Sequence, residues 1–323
     1  MGRKKKKNKL NPNKILIYIL TTTIFLLFFS FYTEKHDLHF TNLNEIDISS
    51  TLATNNTVTP IDTHGTGLVI HFFDVGQADS ILISVADKHM LIDAGNNSDG
   101  NLIAQYLTNN LKITSLDYVI GTHNHEDHIG GLDEIIKQIE IKNLYMPYVS
   151  VTSTNIYENV EKAALDKNLE IINPKIGDFF NLDTSRIEIM NIDNNEPTNK
   201  NESSIVLEMQ FGSLKYLFTG DTEIENENSR AWNDIDVLKV AHHGSNTSSS
   251  EKFLSQAKPE IAIVSVGPNN SYNLPKESIL NRIEKVGAKI YRTDRDGTII
   301  IKSDGTKNDI STSDVCLDGN SRE

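Results

Sequence analysis

A single cysteine, Cys316, is the only thiol in the 323-residue sequence, which excludes an intramolecular disulfide framework and a cysteine-rich zinc site. Positive charge is scarce outside one segment. The formal net charge is -13, yet Arg3, Lys4, Lys5, Lys6, Lys7, Lys9 and Lys14 all fall in the first 33 residues, which hold no acid, so the remainder sets 24 bases against 44 acids. A body of that charge repels polyanions at long range and argues against broad, non-specific nucleic-acid binding, while leaving room for a local site neutralised by metal. No internal repeat or low-complexity tract is present. With 38% hydrophobic and 23% charged residues, the chain is still apolar enough for a sizeable core in one large domain or two small ones.

Long apolar runs are confined to residues 15–32, ILIYILTTTIFLLFFSFY, which carry no charge over 18 residues. That meets the minimum of roughly 17 residues for a helix crossing a bilayer, and the basic flank predicts the N-terminus inside and the rest outside. Ser30-Phe31-Tyr32-Thr33 offers little of a small-residue cleavage pattern, so the run reads as an uncleaved anchor; cleavage would make the protein secreted. The expected organisation is a basic cytoplasmic N-terminus at 1–14, a transmembrane segment at 15–32, a polar linker at 33–66, a folded domain at 67–303 and a loose Asp/Gly-rich tail at 304–323.

From Leu68 onward short β-rich runs alternate with helical segments. Strands are expected at Leu68 to Phe73, Ser80 to Val85, His89 to Ile92, Tyr118 to Ile120, Ile187 to Asn191, Ile205 to Gln210, Leu214 to Phe218, Val237 to Val240, Ile261 to Val264, Lys289 to Tyr291 and Thr298 to Ile301. Helices are expected at 100–111, 131–139, 156–166, 250–256 and 276–286, where apolar residues recur at helical spacing. This mixture predicts an α/β domain of two sheets packed face to face and covered by helices.

The chemistry concentrates at strand ends. After Tyr118-Val119-Ile120 comes Gly-Thr-His123-Asn-His125-Glu-Asp127-His128-Ile-Gly-Gly131, where three imidazoles and a carboxylate crowd into six residues. Crowded neutral imidazoles gain nothing unless something coordinates them, and a divalent metal, zinc or else manganese or iron, uses these donors. Asn124 and Glu126 read as spacers or supports of the ligands. Gly220-Asp221 and His242-His243-Gly244-Ser245 also follow apolar runs, and Asp93 follows Met90-Leu-Ile, where it either orients a ligand histidine or caps the turn.

These residues, in this order, resemble the metallo-β-lactamase-fold hydrolase superfamily. Within it, Phe73-Asp74-Val-Gly76-Gln77-Ala-Asp79-Ser80, Asn201-Glu-Ser-Ser204-Ile-Val-Leu207, Leu238-Lys-Val-Ala-His-His-Gly-Ser245 and Tyr291-Arg-Thr-Asp294-Arg-Asp-Gly297 are similar to the ComEC-type group. That group contains the C-terminal hydrolase domain of the competence DNA-uptake channel and stand-alone secreted relatives. The resemblance spans roughly Leu68 to Lys302 and implies a four-layer αββα sandwich with the metal site at one edge between the sheets. It implies that His123 and His125 hold a first metal, Asp127, His128 and one of His242 and His243, here His243, a second, and that Asp221 bridges. One or two zinc ions, or manganese, are the implied cofactor.

Two departures stand out. Many superfamily members supply a third histidine to the first metal from mid-chain, but no histidine lies between His128 and His242, and Asn201 to Ser204 stands in that place, as is usual for the ComEC-type group. The Pro268-to-Pro275 segment has Leu274 where the group has a histidine. The expected reaction is hydrolysis. A bound metal lowers the pKa of water from about 15.7 toward about 7, Asp127 ligates and orients that water, and the spare histidine, His242, protonates the leaving group. Gly244 and Ser245 offer donors to an oxyanion or simply make a turn, and Lys239, Arg292 and Arg295 either meet a phosphate or are solvated. The expected substrate is a phosphodiester, DNA or a phosphorylated envelope component. A lactone or cyclic amide is the enzymatic alternative, and a non-catalytic metal-binding surface protein the other.

Overall fold

The structure, a computed structural model, describes residues 67–148, 155–193 and 199–322. The basic segment at 1–14, the apolar run at 15–32 and the linker at 33–66 lie outside the described residues. Among the described residues no helix is long and apolar enough to cross a membrane.

The strands, in chain order, are β1 Leu68–Phe72, β2 Ile81–Val85, β3 Lys88–Ile92, β4 Ser115–Leu116, β5 Tyr118–Ile120, β6 Glu140–Ile141, β7 Leu144–Tyr145, β8 Ile171–Ile172, β9 Phe179–Leu182, β10 Ser185–Asn191, β11 Val206–Phe211, β12 Leu214–Phe218, β13 Val237–Lys239, β14 Ile261–Val264, β15 Lys289–Arg292, β16 Thr298–Ser303 and β17 Asn308–Ser313. Eight form one sheet in the order β17-β16-β1-β2-β3-β5-β7-β8 and seven a second in the order β15-β14-β13-β12-β11-β10-β9. β4 and β6 pair separately. Each sheet is an antiparallel meander that continues into parallel strands, from β3 onward in the first and from β12 onward in the second.

Alternation along the strands sends side chains to two different cores. In β2, Ile81, Ile83 and Val85 join the cluster between the sheets, where Leu207, Met209, Tyr216 and Phe218 meet them from the second sheet, whereas Leu82 points outward. The outer face of the first sheet is covered by helices Gly100–Gln105, Leu132–Gln138 and Asn155–Asp166, which bury Ile103, Ile135, Ile136 and Val160 against Leu82, Leu91 and Val119. Helices Glu251–Ala257 and Glu277–Lys285 do the same for the second sheet through Phe253, Leu254, Ile279 and Ile283. Strands buried on both faces, with helices outside, make the four-layer α/β/β/α order the sequence pattern called for.

The tail departs from expectation. Rather than being loose after Ser303, the chain turns at Asp304-Gly305 and returns as β17, antiparallel to β16 over six residue pairs. Asp74 then bridges to Cys316, Leu317 is buried, and the Gly319 amide donates to Asp99. The strand reads as loose because it is an edge strand with Ile310 as its one large apolar residue, yet Asp-Gly between strands is a hairpin signal.

Candidate metal centre

Donors come from the carboxyl ends of parallel strands at one edge of the sandwich. β3 delivers Asp93, β5 delivers His123, β12 delivers Asp221, and β13 delivers His242 and His243. His125 follows in extended backbone just before the short helix Glu126–Ile129, which carries Asp127 and His128. That helix lies close to the loop after β3, because Gly130 and Gly131 have no side chains: a Cβ on Gly131 would sit 2.6 Å from the Cα of Gly100. Ala94 donates to the His128 carbonyl at 2.8 Å and Asp79 to the Asp127 carbonyl at 2.9 Å, which fixes the ligand run to the first sheet.

Asp221, 2% exposed, is the centre of the group. Its Oδ1 lies 3.2 Å from His128 Nε2, and its Oδ2 lies 3.7 Å from His242 Nε2, 3.7 Å from His243 Nε2 and 3.9 Å from His123 Nε2. Asp127 Oδ2 is 3.3 Å from His243 Nε2 and 4.0 Å from His128 Nε2. His123 Nε2 stands 3.0 Å from His125 Nδ1. Asp93 reaches the ring of His128 besides bonding Thr122: its Oδ2 is 2.8 Å from His128 Nδ1, and it accepts from the Thr122 amide and hydroxyl at 2.8 and 2.7 Å.

The electrostatics follow from burial against charge. Burial disfavours the imidazolium of His128, but Asp221, Asp93 and Asp127 outweigh it and hold its pKa well above the usual histidine value. His243 is raised in the same way, with Asp221 the main opponent of burial. Conversely, Asp221 resists burial because His128 and His243 face it, and its carboxyl is held well below the usual carboxylate range; Asp127 is also lowered. His123 is pushed far down by burial and by His128. The buried carboxylates thus favour positive charge at this point, a demand that a bound cation meets.

The donors fit a divalent ion. His128 Nε2, His243 Nε2 and Asp221 Oδ1 are buried and make no well-directed hydrogen bond, although His128 Nε2 stands 3.2 Å from Asp221 Oδ1 and His243 Nε2 3.3 Å from Asp127 Oδ2, and buried polar atoms are normally satisfied. His128 and His243 have Nδ1 held from behind, by Asp93 and by the Ser265 carbonyl at 2.9 Å, the outer arrangement typical of ligating imidazoles. Among the described residues, three sets of donors lie within 4.8 Å of one another: His123, His128 and Asp221; Asp127, His128 and His243; and Asp79, Asp93 and His128.

Asp79 was missed as a site residue. It lies between the metal-side histidines, 3.6 Å from His243 Nδ1 and 3.9 Å from His128 Nδ1, and its Oδ2 pairs with Lys239 Nζ at 2.7 Å. Lys239 therefore neither meets a phosphate nor is solvated: its side chain is 0% exposed and sealed behind the site. Arg292 is held by Asp294 at 2.9 Å. Ser245 is turned toward the Thr247 hydroxyl at 3.0 Å, the turn-making option. Leu274 packs beside the core under the second sheet, and no imidazole enters the site from that loop.

A cleft of about 530 Å³ opens at Asp127, lined by Gln77, Asn96, Glu126, Tyr272 and Asp318 among others, and among the described residues no lysine or arginine lines it. Glu126 accepts from Asn97 at 2.6 Å and does not enter the ligand group.

An αββα sandwich with clustered imidazoles and carboxylates at its strand ends is the frame of a metal-dependent hydrolase. A family model of the metallo-beta-lactamase superfamily matches residues 73–267, and the chain belongs to that superfamily. ComE operon protein 3 of Bacillus subtilis is 32% identical over 251 residues, which cover 71% of this chain and 32% of that protein. Competence protein ComA of Neisseria gonorrhoeae is 30% identical over 238 residues, covering 70% of this chain and 31% of that protein. The chain thus aligns with about a third of the length of these relatives, which are of the ComEC type. The fold is shared with CmlA, a diiron beta-hydroxylase from Streptomyces venezuelae, at a TM-score of 0.50 and 11% identity, covering 71% of this chain and 53% of that one.

Proposed function

We propose that this protein is a two-metal phosphodiesterase whose catalytic domain lies outside the cytoplasmic membrane, held by residues 15–32. The observation that carries the catalytic reading is the set of buried atoms around Asp221, His128 Nε2 and His243 Nε2 with Asp221 Oδ1, that lack a well-directed hydrogen bond, beside Asp127, which lines the cleft. Asp127, His128 and His243 would hold one ion, His123 and His125 the other, and Asp221 both. Ions held there, zinc or manganese, would supply Lewis acidity that activates water near neutral pH and positive charge for the attacked phosphorus centre. Asp127, with a third of its side chain exposed at the cleft, orients the attacking water. Asp93 fixes the ring of His128, and Asp221 keeps both halves of the site in register. His242, a quarter exposed on the solvent side of Asp221, either serves the leaving group with a proton or completes the first donor set.

The competence relatives favour a nucleic acid, whereas the acidic body and the cation-free cleft wall favour a small or envelope phosphoester over a long polyanion. The test is cleavage of bis(p-nitrophenyl) phosphate and of linear DNA by the same preparation. Cleavage that disappears in His125→Ala supports the reading, with the ratio of the two rates separating a small-ester enzyme from a nuclease. Unchanged turnover in His125→Ala would sink it.

A further inference from the structure

The first ion lacks the mid-chain histidine that many superfamily members use, and a further imidazole, His242, faces the carboxylate that the two halves of the site share, its Nε2 3.7 Å from Asp221 Oδ2. Four imidazoles present Nε2 to Asp221, and in each the Nδ1 has a neighbour behind it. For His128 it is Asp93 at 2.8 Å, for His243 the Ser265 carbonyl at 2.9 Å, for His123 the Thr122 hydroxyl at 3.2 Å. For His242 it is the Thr247 hydroxyl at 3.0 Å, with Glu223 Oε1 at 3.4 Å. A ring pinned through Nδ1 that offers Nε2 toward a shared carboxylate is the posture of a metal ligand, and His242 holds it as the other three do.

Two further observations agree. Asn201, from the segment standing where the missing histidine belongs, touches this ring: its Nδ2 is 3.4 Å from His242 Nδ1. In the same segment the Ser204 hydroxyl accepts from the Asp221 amide at 3.1 Å. Moreover, His242 and His243 both adopt left-handed backbone, with φ of 50° and 51°, a conformation that is disfavoured for residues with a Cβ and persists where the surroundings enforce it. The double twist brings both Nε2 atoms to 3.7 Å from one oxygen of Asp221.

We propose that His242 is the third imidazole donor to the first ion, beside His123 and His125, so that adjacent residues of one turn divide between the two ions. The proposal rests on the two-ion reading above. It replaces the missing mid-chain ligand with a residue from the next strand end, and it leaves no spare imidazole to act as proton donor.

The test is zinc stoichiometry and affinity, by elemental analysis and chelator competition, on the full-length chain as wild type, His242→Ala, His243→Ala and Thr247→Val. Two equivalents in wild type falling to one in His242→Ala, together with about tenfold weaker binding of one ion in Thr247→Val, are the expected results. The ion retained by His242→Ala also shows that the variant folds. If His242→Ala does not fold, Thr247→Val decides alone. Two equivalents at wild-type affinity in His242→Ala, or unchanged affinity in Thr247→Val, overturn the proposal and return His242 to proton transfer. A wild type that binds no zinc refutes the two-ion reading itself, a separate failure.

Discussion

Replacing Lys239 with methionine leaves the Asp79 carboxylate buried without its cation. The pair is 2.7 Å long with side chains 0% and 2% exposed, Asp79 Oδ1 already has no hydrogen-bond partner, and water has no access to take the place of the ammonium. Removing one member of such a buried pair costs about 3 to 5 kcal/mol, because the orphaned charge keeps its desolvation penalty. For a domain of this size each kcal/mol lowers the melting temperature by roughly 2 to 4 °C, so Lys239→Met should melt some 6 to 20 °C below wild type. Thermal unfolding followed by circular dichroism on chelated protein is the assay, chelation being needed because bound metal would stabilise the native state by mass action. Converting Asp79 as well, in Asp79→Asn/Lys239→Met, removes the stranded charge and should recover most of the loss. A single variant melting within about 2 °C of wild type, or a double variant no better than the single, would refute the assignment of Lys239 as a buried counter-charge.

His71 is fully buried on β1 with neither ring nitrogen partnered, and burial, reinforced by Lys302, lowers its pKa to about 4. The unfolded chain therefore takes up this proton first as pH falls, so the stability held above pH about 6.5 drops by roughly 3 kcal/mol on approaching pH 4. Urea midpoints at pH 7 and pH 4.5 should converge in His71→Leu relative to wild type, and an undiminished gap would contradict this. Gly131→Ala should unseat the ligand run, since its Cβ would meet the backbone of Gly100 at 2.6 Å; a fold and a zinc affinity equal to wild type would show that the approach is looser than drawn.

Much of the fold was legible because strands buried on both faces leave largely apolar runs: Tyr118–Ile120, Leu214–Phe218, interrupted by Lys215 alone, and Ile261–Val264 match the sequence reading at both ends. What escaped was short or polar. Leu144–Tyr145 and Ile171–Ile172 are two-residue strands held by neighbours rather than by pattern, and Asn308–Ser313 alternates too weakly to show. At the site, His123 and His128 stood out by type and crowding, whereas Asp221 and the His242-His243 pair gained weight only beside that cluster and through the family resemblance. Asp79 and Lys239 did not, because an acid and a lysine far apart in sequence give no sign that the fold will seal them together behind the imidazoles. Asp93 could be placed after a strand but not aimed, since its contact with His128 spans two loops.

Metal dependence is the claim on which the rest depends. The measurement is the turnover of bis(p-nitrophenyl) phosphate by the purified chain before chelation, after it, and after zinc or manganese is restored, with metal content read on the same samples. Activity that falls with the metal and returns with it is the predicted result. Turnover that persists in metal-free protein would contradict the account.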